Sequence, residues 1–239
     1  MNSERAVRVA VAFARQAAAT PPGSMCDACV DVLQVSGAGV TLMTGLNSGP
    51  VCSSGPRSRF LEDLQFTLGE GPCRDAFATG NPIAEPDMQR STATRWPNFT
   101  PPALHAGARG IFAFPMHDGL ERIGVLTVHQ SEPGVLSDDQ MEDSAVLALV
   151  LAKSMVAIQE RNDPEVLAGQ LSDVNAHRAE VHQASGILAV ALDITVREAL
   201  VRLRAYAYSI DRTVADVAID VVSGRLRLDD DRTNEEGFP

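Results

Sequence analysis

The chain has 239 residues, 45% of them apolar, with 20 cationic residues against 31 acidic ones and a formal net charge of −11. That length holds one large domain or two ordinary ones, and the apolar fraction excludes a wholly disordered chain. The acidity excludes a protein that coats nucleic acid through bulk charge, but not one that recognises it locally.

Residues 6–19 have helical spacing, and Arg15 interrupts their apolar run too early for a signal-peptide core. Residues 26–34 follow with CDACVDVL, in which Cys26 and Cys29 stand one helical turn apart. Cys52 and Cys73 are isolated downstream, so the paired CxxC spacing of a structural zinc site is missing and Cys26 with Cys29 reads as a packed helix face. The four cysteines fit a cytoplasmic protein.

From residue 39 to 130 the texture is mixed. Short β-branched runs, GVTLMTG and PVCSSG, precede a loop-rich middle that contains GEGPC at 69–73. That stretch lacks the Gly-Lys-Ser/Thr ending of a phosphate-binding loop, so its glycines and proline predict a sharp turn and not nucleotide hydrolysis. His105, His117 and His129 have no metal-ligand spacing, and no metal site is expected. In GIFAFPMHDGLERIGVLTVHQ two apolar runs flank Asp118-Gly119, a hairpin signal that implies an antiparallel sheet.

Residues 137–161 form the next helix, with Ser137 as cap and Asp138 and Asp139 at the positive end of its dipole. Its run AVLALVLA is far short of the roughly 20 residues that cross a bilayer. The helix is apolar on more than one face and so predicts a second packing surface, supplied by a homodimer.

After Asn162-Asp163-Pro164 the pattern is purely helical. Leu167, Leu171, Val174, Val181, Leu188 and Leu192 keep a 3,4 spacing, with Arg178 and Ser185 on the same seam. Thr195 to Glu198 is a capping box that opens a second helix, and Thr213 to Asp216 a weaker one that opens a third. Helices this short must pack as one bundle. The bundle leaves little room for catalysis, and no catalytic residue is assigned. It presents a surface: Arg202, Arg204, Tyr206, Arg212 and Thr213 on or beside the second helix and its turn, and His182, Gln183 and Ser185 on the first. The small run Ala184-Ser185-Gly186 allows either close approach from outside or tight packing within the bundle. Residues 164–228 carry seven arginines against eight carboxylates, whereas 229–239 carry one arginine against five and predict an acidic disordered tail.

The stretch QASGILAVALDITVREALVRLRAYAYSIDRTVADVAIDVV resembles the ANTAR domain, a three-helix RNA-binding module of bacterial antiterminators. Upstream, LGEGPCRDAFATGNPI, Arg95-Trp96-Pro97, GIFAFPM and RIGVLTV resemble a GAF sensor domain. The fold expected is therefore α+β: a GAF-like antiparallel sheet with flanking helices over 1–163, then an all-α ANTAR bundle over 164–228, joined by a long helical connector. The resemblance implies a cytoplasmic one-component regulator that binds RNA hairpins in nascent leader transcripts and controls termination in response to a sensed signal. Arg178, His182, Gln183, Ser185, Arg202, Arg204, Tyr206, Arg212 and Thr213 are its candidate RNA contacts. Many ANTAR domains carry lysine where Ser185 stands, a departure that removes a phosphate-contacting charge. Gly69, Glu70, Gly71, Pro72, Cys73 and Trp96 are placed at the sensor cavity; no cofactor is named, and a small-molecule ligand is the expectation there. Two alternatives remain: a helix-turn-helix DNA binder, and a reductase using Cys73 with Cys26 or Cys29.

Overall fold

The computed structural model describes residues 3–19, 25–43, 49–90, 95–160, 172–210 and 212–228. The chain divides into two compact units, Met1–Val174 and Asn175–Pro239. The boundary expected at 163/164 and the acidic tail at 229–239 lie outside the described residues.

The first unit runs α1 (Ser3–Ala19), α2 (Met25–Leu33), β1 (Gly37–Leu42), β2 (Gly49–Ser53), α3 (Pro56–Leu68), α4 (Pro72–Thr79), β3 (Ile83–Glu85), α5 (Thr100–His105), β4 (Gly110–Asp118), β5 (Glu121–Gln130) and α6 (Asp138–Glu160). Its strands form one antiparallel sheet in the order β2-β1-β5-β4-β3. The expected hairpin joins β4 to β5, with Asp118 opposite Glu121 and Gly119 at φ +60°, the left-handed conformation that such a turn requires and glycine adopts freely.

Both faces of this sheet are covered, which is why its strands read as apolar runs and not as clean alternation. Phe112, Phe114 and Met116 of β4 and Leu126 and Val128 of β5 point into a core shared with α1, α2 and α6. Ile111, Ala113 and Val125 point the other way, toward Leu61 of α3, Cys73 and Ala76 of α4, and Trp96, Phe99 and Ala103.

α6 opens where Ser137 predicted. The Gln140 amide donates to Ser137 Oγ at 3.2 Å and the Ser137 amide to Gln140 Oε1 at 3.0 Å, a reciprocal cap. Val146, Leu147, Ala148, Leu151, Ala152 and Met155 are buried along it. The second surface that its apolarity demanded comes from α1 and α2 of the same chain, so that apolarity is not in itself an argument for a second copy. Arg5 of α1 pairs with Asp139, Glu142 and Asp143 of α6, fixing how the two helices meet.

One expectation is corrected here. Cys26 and Cys29 do share the buried face of α2, but Cys52 of β2 is not isolated: it is disulfide-bonded to Cys26, with Cα atoms 5.9 Å apart. Sequence spacing hid the pair because strand order, not proximity along the chain, sets that distance.

In the second unit α7 (Ser172–Leu192), α8 (Val196–Ser209) and α9 (Val214–Val222) are the expected three helices. Val181, Ala184 and Leu188 of α7, Ala199, Leu203 and Ala207 of α8, and Val214, Val217, Ala218 and Val221 of α9 are its buried apolar stripes. The capping box forms in full: the Glu198 amide donates to Thr195 Oγ1 at 3.2 Å, and the Thr195 amide to Glu198 Oε2 at 2.9 Å.

Candidate functional site

Two arrangements in the molecule carry chemistry, one in each unit. In the first unit, α3 lays Ser58, Glu62 and Gln65 along one stripe, all three buried against the sheet. Glycines make room for them: a Cβ on Gly39 would lie 2.5 Å from Glu62 Cγ, and one on Gly71 2.7 Å from Gln65 Oε1. Thr41 of β1 donates to Glu62 Oε2 at 2.5 Å. Burial pushes the Glu62 carboxyl up to about 7, against the hydroxyls of Thr41 and Thr127 that hold it down, while Asp63 adds a like charge. Gln65 Oε1 accepts from the Cys73 amide at 2.7 Å, while Gln65 Nε2 is buried without a hydrogen-bond partner. One turn earlier on α3, Ser58 Oγ is 2.9 Å from His129 Nε2. Burial, with the nearby Arg57 charge, pulls that imidazole down to about 4.

The residues placed at a sensor cavity by sequence build the frame of this cluster. Gly69 closes α3 at φ +65°, and Gly71 at φ +128° with Pro72 starts α4. Glu70 accepts from the amides of Asn98 and Phe99 at 2.7 and 2.8 Å, tying the turn ahead of α5 to the loop between α3 and α4. Trp96 is buried: its Nε1 donates to Asp75 Oδ2 at 3.2 Å, its ring meets Phe99 edge-on, and Arg95 lies 4.6 Å above it. Cys73 is buried, and burial beside Glu62 pushes its thiol well above the usual range.

Sequence reasoning missed Thr41, Glu62, Gln65 and Thr127. The signal was present: a threonine inside each of two otherwise apolar strand runs, and polar residues three and four apart on α3. Nothing in the strand pattern alone says that these groups share one face.

The reductase alternative needs Cys73 with Cys26 or Cys29, and the described thiols are not paired that way. Cys26 is already bonded to Cys52, Cys29 and Cys73 are buried free thiols, and burial pushes Cys29 up to about 12. Among the described residues no group of three or more His, Cys, Asp or Glu side chains is placed to hold a metal, and no helix is long and apolar enough to cross a membrane.

In the second unit the predicted contact residues separate. Gln183 and Arg202 are exposed, His182, Arg204 and Tyr206 are half-buried, and Arg178 falls on α7 with its side chain outside the described residues. Ser185 is 1% exposed and donates to the Val181 carbonyl at 2.7 Å, so it lies inside the bundle and not on the outer surface. Ala184 beside it is buried as well, whereas a Cβ on Gly186 would meet open space. Thr213 is spent as the cap of α9, accepting from the Asp216 amide at 3.1 Å. Arg212 reaches across that turn to Asp220 Oδ2 at 2.7 Å, and Arg225 meets the other oxygen at 2.8 Å. The two guanidiniums, Arg225 more than Arg212, hold the Asp220 carboxyl below its ordinary value. Tyr208, 54% exposed on α8, was not singled out from sequence.

The family model for the GAF domain matches residues 23–148, and that for the ANTAR domain matches residues 169–222. The chain belongs to the GAF domain family and carries an ANTAR domain after it. The first unit is similar in fold to the GAF domain of a phosphoenolpyruvate-protein phosphotransferase from Coxiella burnetii, at 17% identity and TM-score 0.51 over 67% of this chain and 98% of that one. The GAF domain of an Acinetobacter phosphoenolpyruvate-protein phosphotransferase is similar at 13% identity and TM-score 0.50, over 68% and 99%. No curated protein shows a significant match. GAF and ANTAR are regulatory domains, and this GAF–ANTAR chain is a signal-regulated ANTAR regulator.

Proposed function

We propose that this GAF–ANTAR protein binds RNA hairpins in nascent transcripts through residues 164–228 and so controls transcription termination, under the command of its sensor unit. The observation that carries the reading is the ANTAR match lying on three described helices, the second and third of them capped. Such a near-neutral module suits RNA: unstacked bases in loops are read by stacking and a few polar edges, not by a uniformly basic surface. The exposed set consistent with that role is Gln183, Arg202, Tyr208 and the outer part of Arg212.

In this reading the protein works in the cytoplasm, where transcripts are made, and as a homodimer. A signal in the GAF domain shifts the population of an RNA-competent state through α6, the last described element before the ANTAR segment in sequence. The buried Glu62, Thr41 and Gln65 groups suit a small polar ligand, because they offer a carboxyl that titrates near neutrality and an unspent amide N–H.

Titration of the full-length protein with a tandem-hairpin RNA and with duplex DNA of equal length, across salt, tests the proposal. Saturable binding that prefers RNA is the expected result. Arg202→Ala should weaken it about tenfold and reduce the salt slope by about one contact. Preference for duplex DNA would transfer the function to the helix-turn-helix reading, and equal binding to both, or to neither, would remove specific RNA recognition.

A further inference from the structure

The Cys26–Cys52 bond joins α2 to β2 across 26 residues of sequence. Among the described strands β2 is an edge, hydrogen-bonded to β1 with an irregular register there. α2 packs against α1, β1 and α6. The bond therefore ties the sheet's edge covalently to the helical layer that contains α6. On its other side, β2 runs through Ser54 into α3: the Ala38 amide donates to Ser54 Oγ at 2.7 Å, and Ser54 Oγ lies 3.1 Å from Ser58 Oγ. Displacement of β2 is thus felt by the helix that carries Glu62 and Gln65.

A protein that acts on nascent transcripts works where cellular reductants keep thiols reduced, and disulfides that form there are transient, catalytic or redox-sensing. We infer that Cys26 and Cys52 are a reversible thiol–disulfide pair and an input of the sensor unit. Oxidised, the pair pins β2 to α2; reduced, it frees the edge strand and loosens the layer to which α6 belongs. The inference rests on the RNA-binding reading, which supplies the reducing compartment.

The chemistry balances with a peroxide as oxidant. Cys52, 8% exposed against 0% for Cys26, is the sulfur that a small oxidant reaches first. Its thiolate attacks one peroxide oxygen, the O–O bond breaks, and a sulfenic acid and hydroxide result. The Cys26 sulfur then attacks that of Cys52; the S–S bond forms, the S–O bond breaks and a second hydroxide leaves. The two thiol protons turn both hydroxides into water, and the two electrons lost by the sulfurs reduce the peroxide. A dithiol reductant reverses the change by exchange and is itself oxidised to a disulfide. Cys29, one turn from Cys26, is a buried free thiol outside the bond.

The test uses the full-length protein, brought to equilibrium with dithiothreitol or with hydrogen peroxide, then quenched, denatured and alkylated for peptide mass mapping, with hydrogen exchange followed on the same samples. The reduced sample should carry two more alkyl groups than the oxidised one, at Cys26 and Cys52, and cycling should be reversible. Exchange in β2 and α6 should speed up about tenfold on reduction. Cys52→Ser should exchange as the reduced protein does under both conditions, while Cys29→Ser keeps the wild-type response. The inference is overturned if the two cysteines stay alkylatable after peroxide, if the bond resists dithiothreitol in the folded protein, or if α6 exchanges alike in both states. Hairpin RNA added to the same samples separates the two readings. An exchange response without RNA binding in either state removes the RNA reading and leaves the redox pair standing, and RNA binding without an exchange response does the reverse.

Discussion

Glu62 and His129 lie on the same side of the sheet, and burial moves them in opposite directions, to about 7 and about 4. The folded chain keeps the Glu62 proton between pH 4.5 and 7 while the unfolded chain gives it up, so this group's contribution to stability falls as pH rises through that window, by about 3 kcal/mol. His129 works the other way. The unfolded chain takes up a proton below pH 6.5 that the folded one refuses until about 4, so stability is lost as pH falls from 6.5 toward 4, again by about 3 kcal/mol. Between 4.5 and 6.5 these two contributions oppose each other. Glu62→Gln should therefore leave a stability that rises with pH over that interval, and should make the sensor unit more stable than wild type at pH 8. Urea unfolding followed by fluorescence of Trp96, the single tryptophan, reports this unit alone. A Glu62→Gln profile that superimposes on wild type would refute the assignment of a neutral buried carboxyl. Gly39→Ala, whose Cβ would meet Glu62, should cost about 1–3 kcal/mol in the same assay through overpacking.

At the scale of elements, what could be read from sequence was what local chemistry decides. The Asp118-Gly119 hairpin, the Ser137 cap and the Thr195–Glu198 box are each set by a few adjacent residues, and each is found as expected. The Glu62 cluster and the Cys26–Cys52 bond depend on which strands lie side by side, and periodicity does not encode that. Ser185 shows the same limit within one helix: its position on the α7 seam was legible, but its burial is a tertiary property that the spacing along one helix does not set. Thr195→Ala should lower the stability of the three-helix unit by about 1 kcal/mol, by leaving the first amides of α8 without their acceptor. Chemical denaturation followed by circular dichroism at 222 nm would check this, and an unchanged midpoint would mean that packing alone holds the start of α8.

For the whole molecule, the two domains divide the work by composition. The GAF unit buries titratable groups and thiols against a sheet covered on both faces, while the ANTAR unit has a core of small and apolar residues and exposes Arg202 and Tyr208. The first suits a unit whose state responds to its surroundings, and the second a unit that offers a fixed surface. The measurement that bears most directly on this account is transcription in vitro on a template whose leader encodes tandem hairpins ahead of a terminator, with full-length protein or Arg202→Ala added. Readthrough should rise with wild-type protein and rise far less with the variant. Readthrough that is unchanged by wild-type protein at concentrations that saturate the hairpin RNA would contradict control of termination.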